Sequence, residues 1–110
     1  MDNIKNDEYY LKKMKVCFNR IIEKSKDVSY DEFIKDIDLQ EITMFNLIQI
    51  SENAKNLSEK YRIKNSYIPW VEIFGLRNRI VHDYGNVVMD IIYNTLTKDI
   101  PELNSLLFKD

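Results

Sequence analysis

The first long stretch of the chain has the spacing of one buried helix face. From Asp7 to about Lys24, apolar residues recur at intervals of one helical turn: Tyr10, Met14, Cys17, Phe18 and Ile21. Residues spaced in this way line one side of an α-helix, whose period is about 3.6 residues. The pattern therefore predicts an amphipathic first helix that buries this stripe.

Two sequences typical of helix starts follow this stretch. Ser29 and Glu32 can form a capping box, in which the hydroxyl and the carboxylate satisfy exposed backbone amides of a short second helix. Asp38 and Glu41 have the same spacing and predict the start of a longer helix. The apolar stripe of that longer helix is Leu47, Ile50, Ala54, Leu57 and Tyr61. We therefore expect a short helix and then a long one.

Proline and glycine mark the limits of the remaining helices. Pro69 suits the first turn of a helix, because its missing N–H has no intrahelical partner there. Gly85 and Asn86 are typical of a helix end, so a fourth helix is predicted from about Pro69 to Tyr84. Pro101 should kink or split the last helix. The residues that make this last helix amphipathic are Val88, Ile91, Ile92, Thr95 and Leu96.

The composition agrees with a single all-α domain. The chain has 110 residues, 45% of them apolar, with only two glycines and two prolines. An all-β domain would need a turn signal every 8–12 residues or so. We therefore predict one domain over residues 1–110, folded as an up-and-down helical bundle of four main helices plus a short helix.

Cysteine usage and hydropathy indicate the compartment. Cys17 is the only cysteine, so neither an intrachain disulfide nor a cysteine-based zinc site can form. No apolar run approaches the roughly 20 residues of a membrane span. We therefore expect a cytoplasmic protein that does not enter a membrane.

Charge is distributed unevenly along the chain. The net charge of −2 argues against broad, nonspecific binding to nucleic acid, which needs an extended basic surface. Residues 27–41 are mainly acidic, whereas residues 55–79 are mainly basic. The cations of this basic zone are Lys55, Lys60, Arg62, Lys64, Arg77 and Arg79. Local positive charge is thus concentrated before the end of the predicted fourth helix.

The end of that helix holds the residues best suited to chemistry. His82 is the only histidine, and a helix C-terminus favours its cationic form. Arg77 can bind a phosphate through two parallel hydrogen bonds, and Tyr84 adds a phenol. Attack by the 2′-hydroxyl of RNA on the adjacent phosphate needs a base, an acid and positive charge, but no metal. The three residues therefore suit cleavage of an RNA phosphodiester.

Helical geometry separates these residues within one chain. In a straight helix, Arg77 and Tyr84 share a face, whereas His82 points about 140° away from Arg77. Either the helix is distorted where it ends near Gly85, or the same helix of a second subunit completes the site. We favour the dimer, because two His82 side chains could act as base and acid in one turnover.

The sequence of residues 77–84, RNRIVHDY, resembles the Arg-x(4–6)-His signature of HEPN ribonucleases, and its Arg-x-x-x-x-His-x-Tyr form resembles that of HepT-type toxins. Residues 52–54, 68–73 and 99–103 are similar to the same family. The resemblance implies a HEPN-like homodimer that cleaves RNA internally without a metal or cofactor. It also implies that Arg77 and His82 of both subunits line a shared cleft, with Asn78 in support.

The resemblance implies a protein partner as well. HepT-type toxins are typically paired with an MNT-type nucleotidyltransferase antitoxin, which transfers AMP from ATP to the tyrosine of the motif, here Tyr84. An added nucleotide would place negative charge in a cleft that receives RNA phosphate.

Two other functions remain open at this point. The chain could be a binding module without catalytic activity, which docks a nucleotidyltransferase and presents Tyr84 or a small substrate to it. It could also be a purely structural helical dimer. In the first case RNA would stay intact while Tyr84 is modified, and in the second case changes at Arg77, His82 or Tyr84 would affect only stability.

Three further residues are secondary candidates. Arg79 could be a phosphate ligand, a solvated charge or an interface residue. Asp83 could orient the imidazole of His82, although neighbours on a helix diverge by about 100°. Trp70 could stack on an RNA base, but core packing is the favoured interpretation.

Overall fold

The structure is a computed structural model that describes residues 6–81 and 88–108. Within these ranges the chain forms helices and turns and no strand, which confirms the all-α prediction. The elements are α1 (Asp7–Ser25), α2 (Tyr30–Lys35), α3 (Ile37–Lys55), α4 (Glu59–Lys64), α5 (Trp70–Phe74), α6 (Asn78–Val81), α7 (Met89–Asn94), a π-helix (Thr95–Asp99) and α8 (Ile100–Leu107). None of these helices is both long and apolar enough to span a membrane.

Helices α1 and α3 form an antiparallel pair at the centre of the core. Met14, Phe18 and Ile21 of α1 are fully buried, as are Leu47 and Ile50 of α3. Each such side chain contributes about 1.5–3 kcal/mol to folding. The first helix and its stripe are thereby confirmed.

Contacts at both ends of this pair show that α1 and α3 run in opposite directions. At one end Asp7, in the first turn of α1, accepts two hydrogen bonds from Ser58, which follows α3. At the other end Lys24 of α1 and Glu41 of α3 line the same surface cavity. The short α2 bridges this second end.

The last helical segment runs from α7 through the π-helix into α8, of which the π-helix and α8 pack against α1 and α7 packs against α2. Pro101 cannot donate an N–H, and in a regular α-helix its ring would collide with the carbonyl of Thr97. The chain instead widens before it, because Ile100 N–H bonds to the Thr95 carbonyl five residues earlier. Asp99 and Ile100 keep helical backbone angles. Pro101 is therefore accommodated by a π-helix within a continuous segment.

The start of α2 matches its predicted capping box. The Ser29 hydroxyl accepts the Glu32 N–H at 3.1 Å, and the Glu32 carboxylate accepts the Ser29 N–H at 2.9 Å. The predicted box at Asp38 is wrong. Helix α3 begins at Ile37 because the carboxylate of Asp36, directly after α2, accepts the Leu39 N–H at 3.0 Å.

The predicted stripe from Leu47 to Tyr61 is not one helix. Helix α3 ends at Lys55, and a new helix, α4, begins after Ser58, whose hydroxyl accepts the Tyr61 N–H at 3.1 Å. Serine favours this N-cap position because its side chain satisfies an amide that has no partner in the helix. Ser58 is held there by Asp7 of α1, a contact that no local pattern indicates.

The predicted fourth helix is interrupted as well. Pro69 lies before the helix, as the N-cap of α5, rather than in its first turn. Residues 75–77 form a turn between α5 and α6. In a continuous helix the Asn78 N–H would donate to the Phe74 carbonyl. Here the Ser51 hydroxyl donates to that carbonyl at 2.8 Å, and the Asn78 N–H donates to the Gly75 carbonyl instead. The predicted terminator, Gly85-Asn86, lies outside the described residues.

The two hydrogen bonds that Asp7 accepts from Ser58, called the Asp7–Ser58 clamp below, predict a pH-dependent contribution to stability. The Ser58 hydrogen bonds lower the pKa of Asp7 below its ordinary value of 3.8. The clamp therefore stabilises the fold at pH values above that value and loses its effect as the pH falls through the lowered pKa. Asp7→Asn should reduce the free energy of unfolding at pH 7 by about 1 kcal/mol, and the difference should disappear in strong acid. Thermal unfolding at several pH values measures it.

The matched control for this prediction is Glu8→Gln, which removes the same charge from the first turn of α1 without removing a described contact. An equal destabilisation by both variants would show that charge near the helix N-terminus, rather than the clamp, is responsible.

Candidate functional site

Arg77 lies in the turn between α5 and α6 and points away from the core. Its side chain is 44% exposed, and its Nε lies 3.4 Å from the Oε2 atom of Glu52, whose side chain is 50% exposed. Among the described residues, no acceptor takes a hydrogen bond from either Nη group of Arg77. Most of the guanidinium is therefore available to an anionic ligand.

The backbone around Arg77 is fixed from two sides. Leu76 and Ile80 are buried in the core beneath the turn. On the other side, Ser51 of α3 holds the Phe74 carbonyl. Between these anchors, Leu76, Asn78, Arg79 and Ile80 each donate their N–H to the carbonyl three residues earlier. This tight winding places Arg77 and Asn78 at the surface.

Asn78 and Arg79 have different surroundings. The side chain of Asn78 is exposed at the start of α6. Arg79 Nη1 donates to the Thr95 hydroxyl at 2.6 Å and to the Asp99 carboxylate at 2.8 Å. Arg79 therefore ties α6 to the π-helix, and its charge is matched within the chain.

Trp70 belongs to the core. It is 8% exposed, it stacks on Phe74 with ring centroids 6.4 Å apart, and its indole N–H donates to the Asn65 carbonyl at 3.2 Å. Tyr61 meets the same indole edge-on. This placement agrees with core packing rather than with stacking on an RNA base.

His82, Asp83 and Tyr84 lie outside the described residues, so their positions relative to Arg77 stay predictions. The 140° separation between Arg77 and His82 assumed one straight helix. Because the hydrogen bonds of residues 76–80 span three positions, that angle does not apply to this segment. The chain is distorted on the N-terminal side of α6, and the distortion near Gly85 that the sequence offered as one alternative lies outside the described residues.

The predicted basic zone is only partly available to a ligand. Lys55, Lys60 and Lys64 are exposed. Arg62 instead packs over the Phe74 ring, with its guanidinium carbon 5.5 Å from the centroid. No group of histidine, cysteine and acidic side chains suited to a metal ion occurs in the part of the chain that the structure describes.

Sequence reasoning missed the roles of Ser51 and Glu52. Both contact residues more than twenty positions later, Phe74 and Arg77, and neither contact follows from helical periodicity. The family resemblance included residues 52–54 but assigned no role to Glu52. Opposite charge on two predicted helices was the one available signal, and many other pairs share it.

Comparison with known proteins adds a family. Residues 14–109 match the family model described as "Ribonuclease HepT-like". The matched range includes all residues predicted for the site. No solved structure matches the chain.

Individual relatives agree with this family match. The chain is 41% identical over 83 residues to "Putative RNase TTE0752" of Caldanaerobacter subterraneus subsp. tengcongensis, covering 76% of this chain and 74% of that protein. It is 32% identical over 91 residues to "Putative RNase MJ0127" of Methanocaldococcus jannaschii, covering 79% and 75%. It is 27% identical over 94 residues to "Probable ribonuclease HepT" of Thermococcus cleftensis, covering 86% of each.

The contacts of Arg79 predict a structural effect. Arg79→Ala removes its hydrogen bonds to Thr95 and Asp99 and should lower the free energy of unfolding by about 1–2 kcal/mol in urea denaturation. Asp99→Asn should have a smaller effect of the same sign, because the Thr95 contact remains. Arg20→Ala is the control, since Arg20 has no described ion pair and should change stability by less than about 0.5 kcal/mol. Equal stability of the Arg79 and Arg20 variants would contradict a stabilising role for the contacts of Arg79 with Thr95 and Asp99.

Proposed function

Because this chain belongs to the family of HepT-like ribonucleases, we propose that it is a metal-independent endoribonuclease toxin whose catalytic residues are Arg77 and His82. Family membership makes the chain a ribonuclease with RNA as its substrate. The internal cleavage, the residue roles, the dimer and the toxin–antitoxin pairing are parts of the proposal.

The exposed guanidinium of Arg77 is the observation that supports the proposal most directly. A guanidinium binds phosphate through two parallel N–H groups and stays charged at all relevant pH values. The contact with Glu52 is half-exposed, and such ion pairs are worth at most about 1 kcal/mol. It therefore does not prevent phosphate from approaching. Positive charge at this position stabilises the negative charge that develops on the phosphorane.

The proposed reaction is attack by the 2′-hydroxyl of RNA on the adjacent phosphorus. A neutral imidazole takes the proton of the 2′-hydroxyl, the 2′-O–P bond forms, and the P–O5′ bond breaks. A protonated imidazole gives its proton to the leaving 5′-oxygen. The products are a 2′,3′-cyclic phosphate and a free 5′-hydroxyl, so no water is consumed in this step.

Two imidazoles are needed in one turnover, and each chain has one histidine. A homodimer with a two-fold axis near residues 77–84 supplies both, one acting as base and one as acid. Asn78 supports the phosphate-binding group from the start of α6, and Asp83 orients the imidazole of His82. Arg79 has no catalytic part in this mechanism, because its charge is matched by Asp99.

The proposed regulation acts on Tyr84. An MNT-type nucleotidyltransferase transfers AMP from ATP to the phenol, so a bond forms between the phenolic oxygen and the α-phosphorus while pyrophosphate leaves and the phenol proton is lost. The added phosphate is negative and competes with RNA for the cationic cleft. The antitoxin thus inactivates the enzyme covalently.

RNA cleavage by site variants tests the catalytic proposal. In buffer with EDTA, purified protein should cut RNA, and Arg77→Ala or His82→Ala should each lower kcat by about 10²-fold or more. Arg20→Ala, which removes an exposed arginine of α1, should leave cleavage unchanged. Activity that is lost in EDTA and restored by a divalent metal would refute the mechanism.

Intact mass tests the proposed regulation. Protein co-expressed with an MNT-type nucleotidyltransferase from the same genome should gain the mass of AMP and lose RNA cleavage, while Tyr84→Phe should gain no mass. Tyr67→Phe is the control, because Tyr67 lies outside residues 77–84 and is 60% exposed. Modification without any RNA cleavage by the unmodified protein would favour the binding module over the toxin.

A further inference from the structure

Glu52 extends from a backbone position that is held firmly. Its neighbour Ser51 is fully buried, and the Ser51 hydroxyl donates to the Phe74 carbonyl at 2.8 Å. Its other neighbour, Asn53, is 7% exposed and donates to the Gln49 carbonyl at 2.8 Å. The carboxylate of Glu52 thus reaches solvent from a position on α3 whose neighbour, Ser51, is bonded to α5.

Arg77 has a fixed backbone but a long side chain. Buried Leu76 and Ile80 hold the turn, whereas the exposed part of the arginine has several rotatable bonds. A free arginine side chain loses considerable rotamer entropy when it is fixed on a ligand. A contact that restricts the guanidinium before RNA binds would reduce that loss.

The contact with Glu52 is made at the inner nitrogen of the guanidinium. The carboxylate oxygen lies 3.4 Å from Nε, and no described residue accepts a hydrogen bond from the two Nη groups. The outer edge of the guanidinium, which carries both Nη groups, can therefore form the two parallel hydrogen bonds that a phosphate accepts.

We propose that Glu52 is a positioning residue that holds Arg77 at Nε and directs its Nη edge towards the RNA phosphate. The inference rests on the proposed ribonuclease function. The same carboxylate then has two effects on the reaction, one on kcat and one on KM. As a support, Glu52 aligns the guanidinium with the transition state and raises kcat. As a negative charge beside the phosphate site, it weakens substrate binding and raises KM.

Steady-state cleavage of a short RNA measures both effects. Glu52→Ala should lower kcat by about 3- to 5-fold, because a half-exposed ion pair can favour the aligned guanidinium by no more than that factor, and KM should stay the same or fall. Glu52→Gln keeps the size of the side chain but removes the charge that pairs with Nε, so it should lower kcat in the same way. Glu72→Ala is the matched control, because Glu72 is an exposed carboxylate of the neighbouring α5 without a described side-chain partner.

A double variant shows whether Glu52 acts through Arg77. In the Arg77→Ala background, Glu52→Ala should cause no further loss of kcat. A wild-type kcat in Glu52→Ala, a raised KM with unchanged kcat, or a further loss in the double variant would each overturn the inference. Thermal unfolding checks that the variants are folded, and Glu52→Gln provides the test if Glu52→Ala is not.

A second measurement does not depend on cleavage. Nitrogen-15 relaxation of the Arg77 Nε–H group in the free protein should show higher mobility in Glu52→Ala than in the wild type or in Glu72→Ala. Equal mobility in all three overturns the inference. If the wild type cuts no RNA while Arg77 is ordered by Glu52, the proposed function fails and the positioning contact stands.

Discussion

Helix α3 is the element against which α1, α2 and α5 all pack, so its own polar side chains must be satisfied without water. Three of its buried or nearly buried polar residues, Thr43, Asn46 and Asn53, bond to carbonyls one turn earlier in the same helix. Ser51 differs, because its hydroxyl bonds to α5. An unpaired buried hydroxyl would be costly. This bond ties α5 to α3 at the residue where the regular helix stops.

The interruption of the helix gives the two arginines of residues 77–79 opposite environments. Arg77 faces solvent beside Glu52, whereas Arg79 is bound to Thr95 and Asp99 of the π-helix. One arginine is thus available for a ligand, and the other attaches the short α6 to the rest of the bundle. The proposed function depends on both, since a phosphate-binding group is useful only on a backbone that does not move away.

Features that depend on neighbouring residues could be predicted from the sequence, and features that depend on distant contacts could not. The first helix and the Ser29–Glu32 capping box follow from local spacing, and both are present. The break after Phe74 and the start of α4 at Ser58 depend on Ser51 and Asp7, which are distant in sequence. For the site, the sequence indicated Arg77 by motif but could not indicate Glu52, since an ion pair between α3 and the turn before α6 depends on how the two pack together.

The π-helix before Pro101 is equivalent to one extra residue inserted into the last helix. Each residue of an α-helix turns the chain by about 100°, so the insertion sets the angle between the face of α7 and the face of α8. Thr95 and Asp99, which bind Arg79, lie within the inserted turn. The contacts of Arg79 therefore depend on the number of residues in this segment as well as on their chemistry. Loss of one residue would rotate the whole of α7 relative to α1 and carry these partners away from α6.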